Sequence, residues 1–141
     1  MLAGGFRFID HTGDLAFEVW AEAMPELLRL ASEALNSAVL EPDQVEEKIL
    51  REWSLQAESA EGLLVQQLSE MVFLMESESW AFSRFEIQCP SPLSLLCRAW
   101  GETLEPTRHR FKTAVKAVTY HQLKITRNPQ GLLHAVVVID I

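Results

Sequence analysis

The stretch that most restricts the fold is the last one. Ala135-Val136-Val137-Val138-Ile139 is apolar at every position, and only Asp140 and Ile141 follow it. A strand with no polar face must be covered on both sides, so it belongs at the centre of a sheet. Chain ends ordinarily fray in solvent. An end that runs out of an apolar strand with no polar tail is expected to be held in place, with the Ile141 α-carboxylate beside Asp140.

A second acidic stretch lies near the start. Asp10-His11-Thr12-Gly13-Asp14 sets two acids on either side of a short turn. If the two stretches meet, three side-chain carboxylates and a terminal carboxylate share a small volume. Two unit charges about 5 Å apart repel by roughly 3 kcal/mol at an effective dielectric near 20. Three or four such pairs total roughly 10 kcal/mol, comparable to the stability of a whole domain. Such a cluster needs a cation, a raised pKa on one member, or wider separation. Hard oxygen donors of this kind suit calcium or magnesium, with water completing the shell. The simpler alternative is that the acids are turn formers at strand ends and never meet.

The 141 residues are one domain, residues 1–141, long enough to bury roughly two-thirds of its unfolded surface. Apolar residues make up 48% of the chain and are spread along it, which excludes a disordered polypeptide. No apolar run reaches the roughly 20 residues that span a bilayer. The opening Met1-Leu2-Ala3-Gly4-Gly5-Phe6-Arg7 lacks a basic segment followed by an apolar one, so no secretory leader is expected. Cys89 and Cys97 flank Pro90-Ser91-Pro92 at unequal distances along a hairpin, so they would not face each other closely enough to bridge. Two buried thiols in a reducing cytoplasm are expected.

The net charge is −8, which argues against charge-driven binding of nucleic acid over the whole surface. The charge is uneven. Residues 98–127 hold seven basic and two acidic side chains. Such a band is either a solvated strand face or a contact for phosphate or an acidic partner.

Alternation with a period of two predicts strands over residues 6–11 and 15–21, paired as a hairpin across Thr12-Gly13, with Asp10 and Asp14 converging. Pro25-Glu26 suits a first helical turn, and Leu27, Leu30, Ala31, Ala34, Leu35 and Ala38 carry helical spacing to Val39. Pro42 stops that helix. Residues 45–57 read as one long strand, with Trp53, Leu55 and Ala57 on one face. Ser59 is the expected N-cap of a second helix whose apolar stripe is Leu64, Leu68, Met71, Val72 and Met75. Residues 82–89 and 93–101 form a hairpin. Residues 103–111 are an irregular loop. Residues 115–126 and 132–141 form a further hairpin around Asn128-Pro129-Gln130-Gly131. The sum is an α+β fold: one mixed β-sheet of about six to seven strands with two α-helices packed on one face.

Familiar catalytic machinery is missing from the sequence. It has no Gly-rich phosphate loop, no Cys-x-x-Cys pair and no His-Glu-x-x-His. No serine sits in a nucleophile turn, and His11, His109, His121 and His134 are scattered.

Five blocks nevertheless occur in an order that resembles the archease family over the whole chain. They are Asp10-His11-Thr12-Gly13-Asp14, Ser83-Arg84-Phe85, Arg98-Ala99-Trp100-Gly101-Glu102, Lys116-Ala117-Val118-Thr119-Tyr120-His121 and Val138-Ile139-Asp140-Ile141. Gly13 departs from the alanine usual in that family. Ala23-Met24-Pro25 replaces its usual threonine cap, which weakens a helix start by about 1 kcal/mol. The resemblance implies a single archease-like domain that is not an enzyme. It implies a cytoplasmic protein cofactor of the GTP-dependent RNA ligase of tRNA splicing, promoting guanylylation of that ligase and its repeated turnover. RNA would then be met only through the ligase, with no membrane involved. The resemblance also implies a metal site at Asp14, Asp140 and the Ile141 carboxylate, with calcium the expected ion, Asp10 and His11 in its shell, and Lys116 on the partner surface. Two other readings compete. One is a metal-dependent phosphoesterase using the acids to activate water. The other is a chaperone-like module that binds proteins or tRNA through the basic band.

Overall fold

The computed structural model describes residues 4–11 and 13–141, so the Thr12 half of the expected Thr12-Gly13 turn lies outside the described residues. The elements in order are β1 (Gly5–Ile9), β2 (Leu15–Ala21), α1 (Met24–Val39), a 3-10 turn (Pro42–Gln44), β3 (Ile49–Gln56) and α2 (Ala60–Ser77). They continue with β4 (Trp80–Gln88), β5 (Ser94–Thr103), β6 (Ala117–Val118), β7 (Thr126–Arg127) and β8 (Leu133–Asp140).

The α+β class and the two helices are as the sequence predicts. The strands are divided between two sheets. One has the order β1-β2-β8-β6, with β7 also against β8; the other is β3-β5-β4. Every pairing is antiparallel, where a mixed sheet was expected. Alternation of apolar residues fixes which face of a strand is buried but not which strand lies beside it.

The last strand occupies the central place its composition demands. Residues 133–139 of β8 pair along their length with β2, while β6 and β7 hold short sections of its other edge. Phe17, Val19 and Ala21 of β2 and Ala135, Val137 and Ile139 of β8 point into one core. That core continues into the second sheet through Phe82, Phe85, Leu95, Cys97 and Ala99. The helix α1 touches both β2 and β4, so it ties the two sheets together. Its Leu27, Leu28 and Leu35 are fully buried, each contributing about 2 kcal/mol through removal from water.

Local chemistry explains where each helix begins. The Ser59 hydroxyl accepts the Gly62 N–H at 2.9 Å and caps α2. Ala23 occupies the same position before α1 in an extended conformation and offers no side-chain cap.

Two predicted strands are shorter than expected. The strand read over 45–57 starts only at Ile49, because Pro42 opens a 3-10 turn and the Glu46 N–H is taken by the Glu102 carboxylate at 2.8 Å instead of by a ladder partner. The strand read over 115–126 survives only as β6 and β7. Between them the Leu123 N–H closes a turn on the Tyr120 carbonyl at 3.0 Å, Gln122 adopts a positive φ of 53°, and Glu61 accepts the Ile125 N–H at 2.9 Å. Backbone groups satisfied in this way are lost to the sheet.

The turn at 128–131 forms as read, with Gly131 at φ +82° and Asn128 Oδ1 accepting the N–H groups of Gln130 and Leu132. Both cysteines are free. Cys97 is buried, and Cys89, expected to be buried as well, is only half so.

Candidate functional site

The two acidic stretches do come to one end of the five-stranded sheet. Leu15 stands opposite Ile139 as the last rung between β2 and β8, and Asp14 and Asp140 are the residues that adjoin it on the two chains. On the other side of β8, Ala117 stands opposite Asp140, and the Lys116 N–H donates to the Asp140 carbonyl at 2.8 Å. Strand order therefore lines up the end of β1, the start of β2, the end of β8 and the start of β6. Asp10, Asp14, Asp140, Ile141 and Lys116 all flank this one rim.

The β1–β2 hairpin corrects one detail. Ile9 pairs with Ala16, so the continued register places His11, not Asp10, opposite Asp14. The Asp14 N–H lies 3.4 Å from the His11 carbonyl, and Gly13, at φ +76°, supplies the left-handed residue the turn needs. His11 Nδ1 is 3.3 Å from Asp14 Oδ2. The His11 ring also meets His121 edge to face at 6.1 Å between centroids. Asp10 is exposed on the strand end beside this pair.

The donor chemistry suits a divalent cation. Asp14, Asp140 and the terminal carboxylate offer only hard oxygens, as calcium and magnesium prefer. Asp14 is half-buried, while Asp140 and Ile141 are exposed, so the rim is open to water that would fill a coordination shell. Among the described residues no three His, Cys, Asp or Glu side chains are grouped closely enough to hold a metal. The backbone thus brings two carboxylates and the chain end to one place without closing a cage of side chains around it.

The loop 103–111, irregular as the sequence predicts, contains a polar centre. Glu102, at the end of β5, is buried, with its side chain only 4% exposed. Arg108 donates to both its carboxylate oxygens, at 2.7 and 3.2 Å. The buried His109 accepts the Glu105 N–H on Nδ1 at 2.8 Å, so its proton sits on Nε2, 3.0 Å from Glu102 Oε2. Lys48 Nζ lies 3.5 Å from the same carboxylate. The Arg108 guanidinium, helped by the Glu46 amide and His109, outweighs burial and holds the Glu102 carboxyl down at about 2. This network fastens the loop that leads into Lys116. Its signal was present as an acid ending an apolar strand with Arg108-His109 a few residues later.

On the outer face of the three-stranded sheet, Arg84 stacks 3.8 Å from the Trp100 ring and pairs with Glu47 and Glu86. These residues belong to two of the five sequence blocks. The Arg84 charge is met by Glu86 of β4 and by Glu47 just before β3. Among the described residues no helix is long and apolar enough to cross a membrane.

Comparison with known proteins agrees with the fold. The profile of the Archease protein family (MTH1598/TM1083) matches residues 6–141. The chain is 32% identical over 135 residues to the Protein archease of Pyrococcus abyssi, covering 94% of this chain and 95% of that one. It is 37% identical over 138 residues to the Protein archease of Methanopyrus kandleri, covering 94% and 96%. The solution structure of Methanobacterium thermoautotrophicum protein 1598 superposes with a TM-score of 0.78 at 28% identity, covering 97% of this chain and 99% of that one. Sequence blocks, strand order and whole-length similarity lead to one assignment: the chain belongs to the archease family.

Proposed function

We propose that this chain is a non-enzymatic, cytoplasmic activator of a GTP-dependent RNA ligase of tRNA splicing or RNA repair, and that it acts through the acidic rim. The observation that supports the reading is the Leu15–Ile139 rung, which Asp14 and Asp140 each follow by one residue, with the Lys116 N–H on the Asp140 carbonyl. Anionic oxygens carried at the ends of neighbouring strands cost a partner less ordering than oxygens on a free loop.

Asp14, Asp140 and the Ile141 carboxylate would hold the divalent ion, calcium by preference, with Asp10 and His11 around it. Bound there, the ion would supply a positive centre that offsets the acids and can bridge to an anionic group on the partner. His11 orients the Asp14 carboxylate, and the Lys116 amide fixes the end of β8. Lys116 then presents a cation at the rim, suited to an acidic or phosphate-bearing surface. Guanylylation chemistry would belong to the ligase, with this protein raising the fraction of encounters in which the ligase's nucleotide site is competent.

The test is transfer of label from GTP to the ligase, with this protein at substoichiometric amounts. Labelling or ligation beyond one equivalent per activator supports the reading. An unchanged ligase rate at every activator concentration removes it.

A further inference from the structure

The basic band resolves into a smaller feature once its ion pairs are traced. Of the twelve Lys and Arg side chains, eight are in ion pairs, including Arg98, Arg108 and Lys112 within the band. The other four are Arg110, Lys116, Lys124 and Arg127. They have no ion-pair partner among the described residues, and all four are exposed. In a chain of net charge −8 with 20 acidic residues, unpaired cations confined to one segment are not what random surface placement would give.

Three of them, Lys116, Lys124 and Arg127, lie in the segment that borders one sheet edge. Ala117 stands opposite Asp140 and Arg127 opposite Leu133, so the segment runs beside the outer edge of β8. Seven rungs separate those levels, a seam about 24 Å long at about 3.4 Å per residue. Between Lys116 and Lys124 stands Tyr120, which is 60% exposed and has no aromatic partner among the described residues. Exposed cations on both sides of the Tyr120–Leu123 turn, with an exposed aromatic ring at that turn, match a single-stranded polynucleotide: phosphates meet the cations and an unstacked base lies on the ring. A peptide fits less well. The edge strands β6 and β7 are two residues each, so they offer no continuous backbone on which a peptide strand could add.

We propose that residues 116–127 form a track for a short single-stranded polynucleotide, with its phosphates on Lys116, Lys124 and Arg127 and one base on Tyr120. The acidic remainder of the surface limits the track to a short tract and disfavours a duplex. This inference goes beyond ligase activation and stands apart from it, because it concerns direct contact by the chain alone.

The test is fluorescence anisotropy of labelled single-stranded RNA and DNA of about ten nucleotides, titrated with the isolated protein over a range of salt. Binding that weakens with salt is expected. Lys124→Gln with Arg127→Gln should weaken it at least tenfold and lower the slope of log K against log salt by about 1.4, about 0.7 for each lost phosphate contact. Tyr120→Ala should weaken it about tenfold with the slope unchanged. Circular dichroism establishes that each variant is folded. Binding of both probes supports the track, and binding of RNA alone supports it with the 2′-hydroxyl as an added contact. Binding of neither probe, equal binding of a duplex, or indifference to these variants overturns it. So does Lys124-dependent binding of an acidic peptide without binding of either strand.

Discussion

Asp14 and Asp140 each follow by one residue the Leu15–Ile139 rung that joins β2 to β8, so residues far apart in the chain are carried to the same end of one sheet. Their proximity is a consequence of packing. Ile139 is fully buried in the core, and that burial fixes the register that delivers Asp140 to the rim.

Such a pair should be uncomfortable without an ion. Replacing Asp140 by Asn removes one negative charge from an exposed rim, where surface substitutions usually change stability by no more than about 0.5 kcal/mol. In the presence of a chelator the Asp140→Asn melting temperature is expected to equal or slightly exceed that of the wild type. With calcium at about 100 times its Kd, the wild type should gain about 2.7 kcal/mol and the variant little. Thermal melts with and without calcium measure both effects.

Glu102 gives a prediction of the opposite kind. Its carboxyl is held at about 2 by Arg108, the Glu46 amide and His109, against an ordinary value of 4.5. In the unfolded chain it takes up a proton at the higher pH. The stability it contributes is therefore complete above about pH 4.5 and is lost as pH falls toward about 2. Glu102→Gln should be less stable than the wild type at pH 7, and the gap should narrow steadily between pH 4.5 and 2. Urea melts across that range test the sign.

Much of this was legible in the sequence, and the omissions have physical causes. The all-apolar run 135–139 announced a central strand, and β8 is flanked on both edges. Ser59 announced the cap it makes. The sequence leaves open whether the acids meet, and it sets Asp10 against Asp14 in the first hairpin, where the turn instead joins His11 to Asp14. One residue of turn length decides that, because loop length sets which residues face each other across a hairpin. The shortening of the strand before β8 was not legible, because it depends on Glu61 reaching Ile125 from a helix far away in sequence. The Glu102 network is likewise a meeting of distant groups, Lys48 and Glu46 with Arg108 and His109. The division into two sheets was hidden because alternation does not name a strand's neighbour.

Gly101 marks the closest approach of β5 to β4. A Cβ there would stand 2.0 Å from the Ala81 carbonyl oxygen and 3.0 Å from Trp80 Nε1. The obstacle is backbone and cannot rotate away. Gly101→Ala should cost at least about 2 kcal/mol by forcing the strands apart, measured as a shift in the urea midpoint at unchanged slope.

The uncapped start of α1 offers a gain. Ala23 already has the extended backbone of a cap residue, with φ −144°. Ala23→Ser provides an oxygen for the Glu26 amide and should stabilise the domain by about 1 kcal/mol. A rise in melting temperature without change in ligase activation is the expected outcome.

Calorimetric titration of calcium into the protein measures whether the two ends of the chain jointly bind a divalent ion. One site per chain is expected for the wild type, lost in Asp14→Ala and also lost in Asp140→Ala, with both variants folded. Calcium binding that survives either substitution unchanged, or no binding by the wild type, contradicts joint binding.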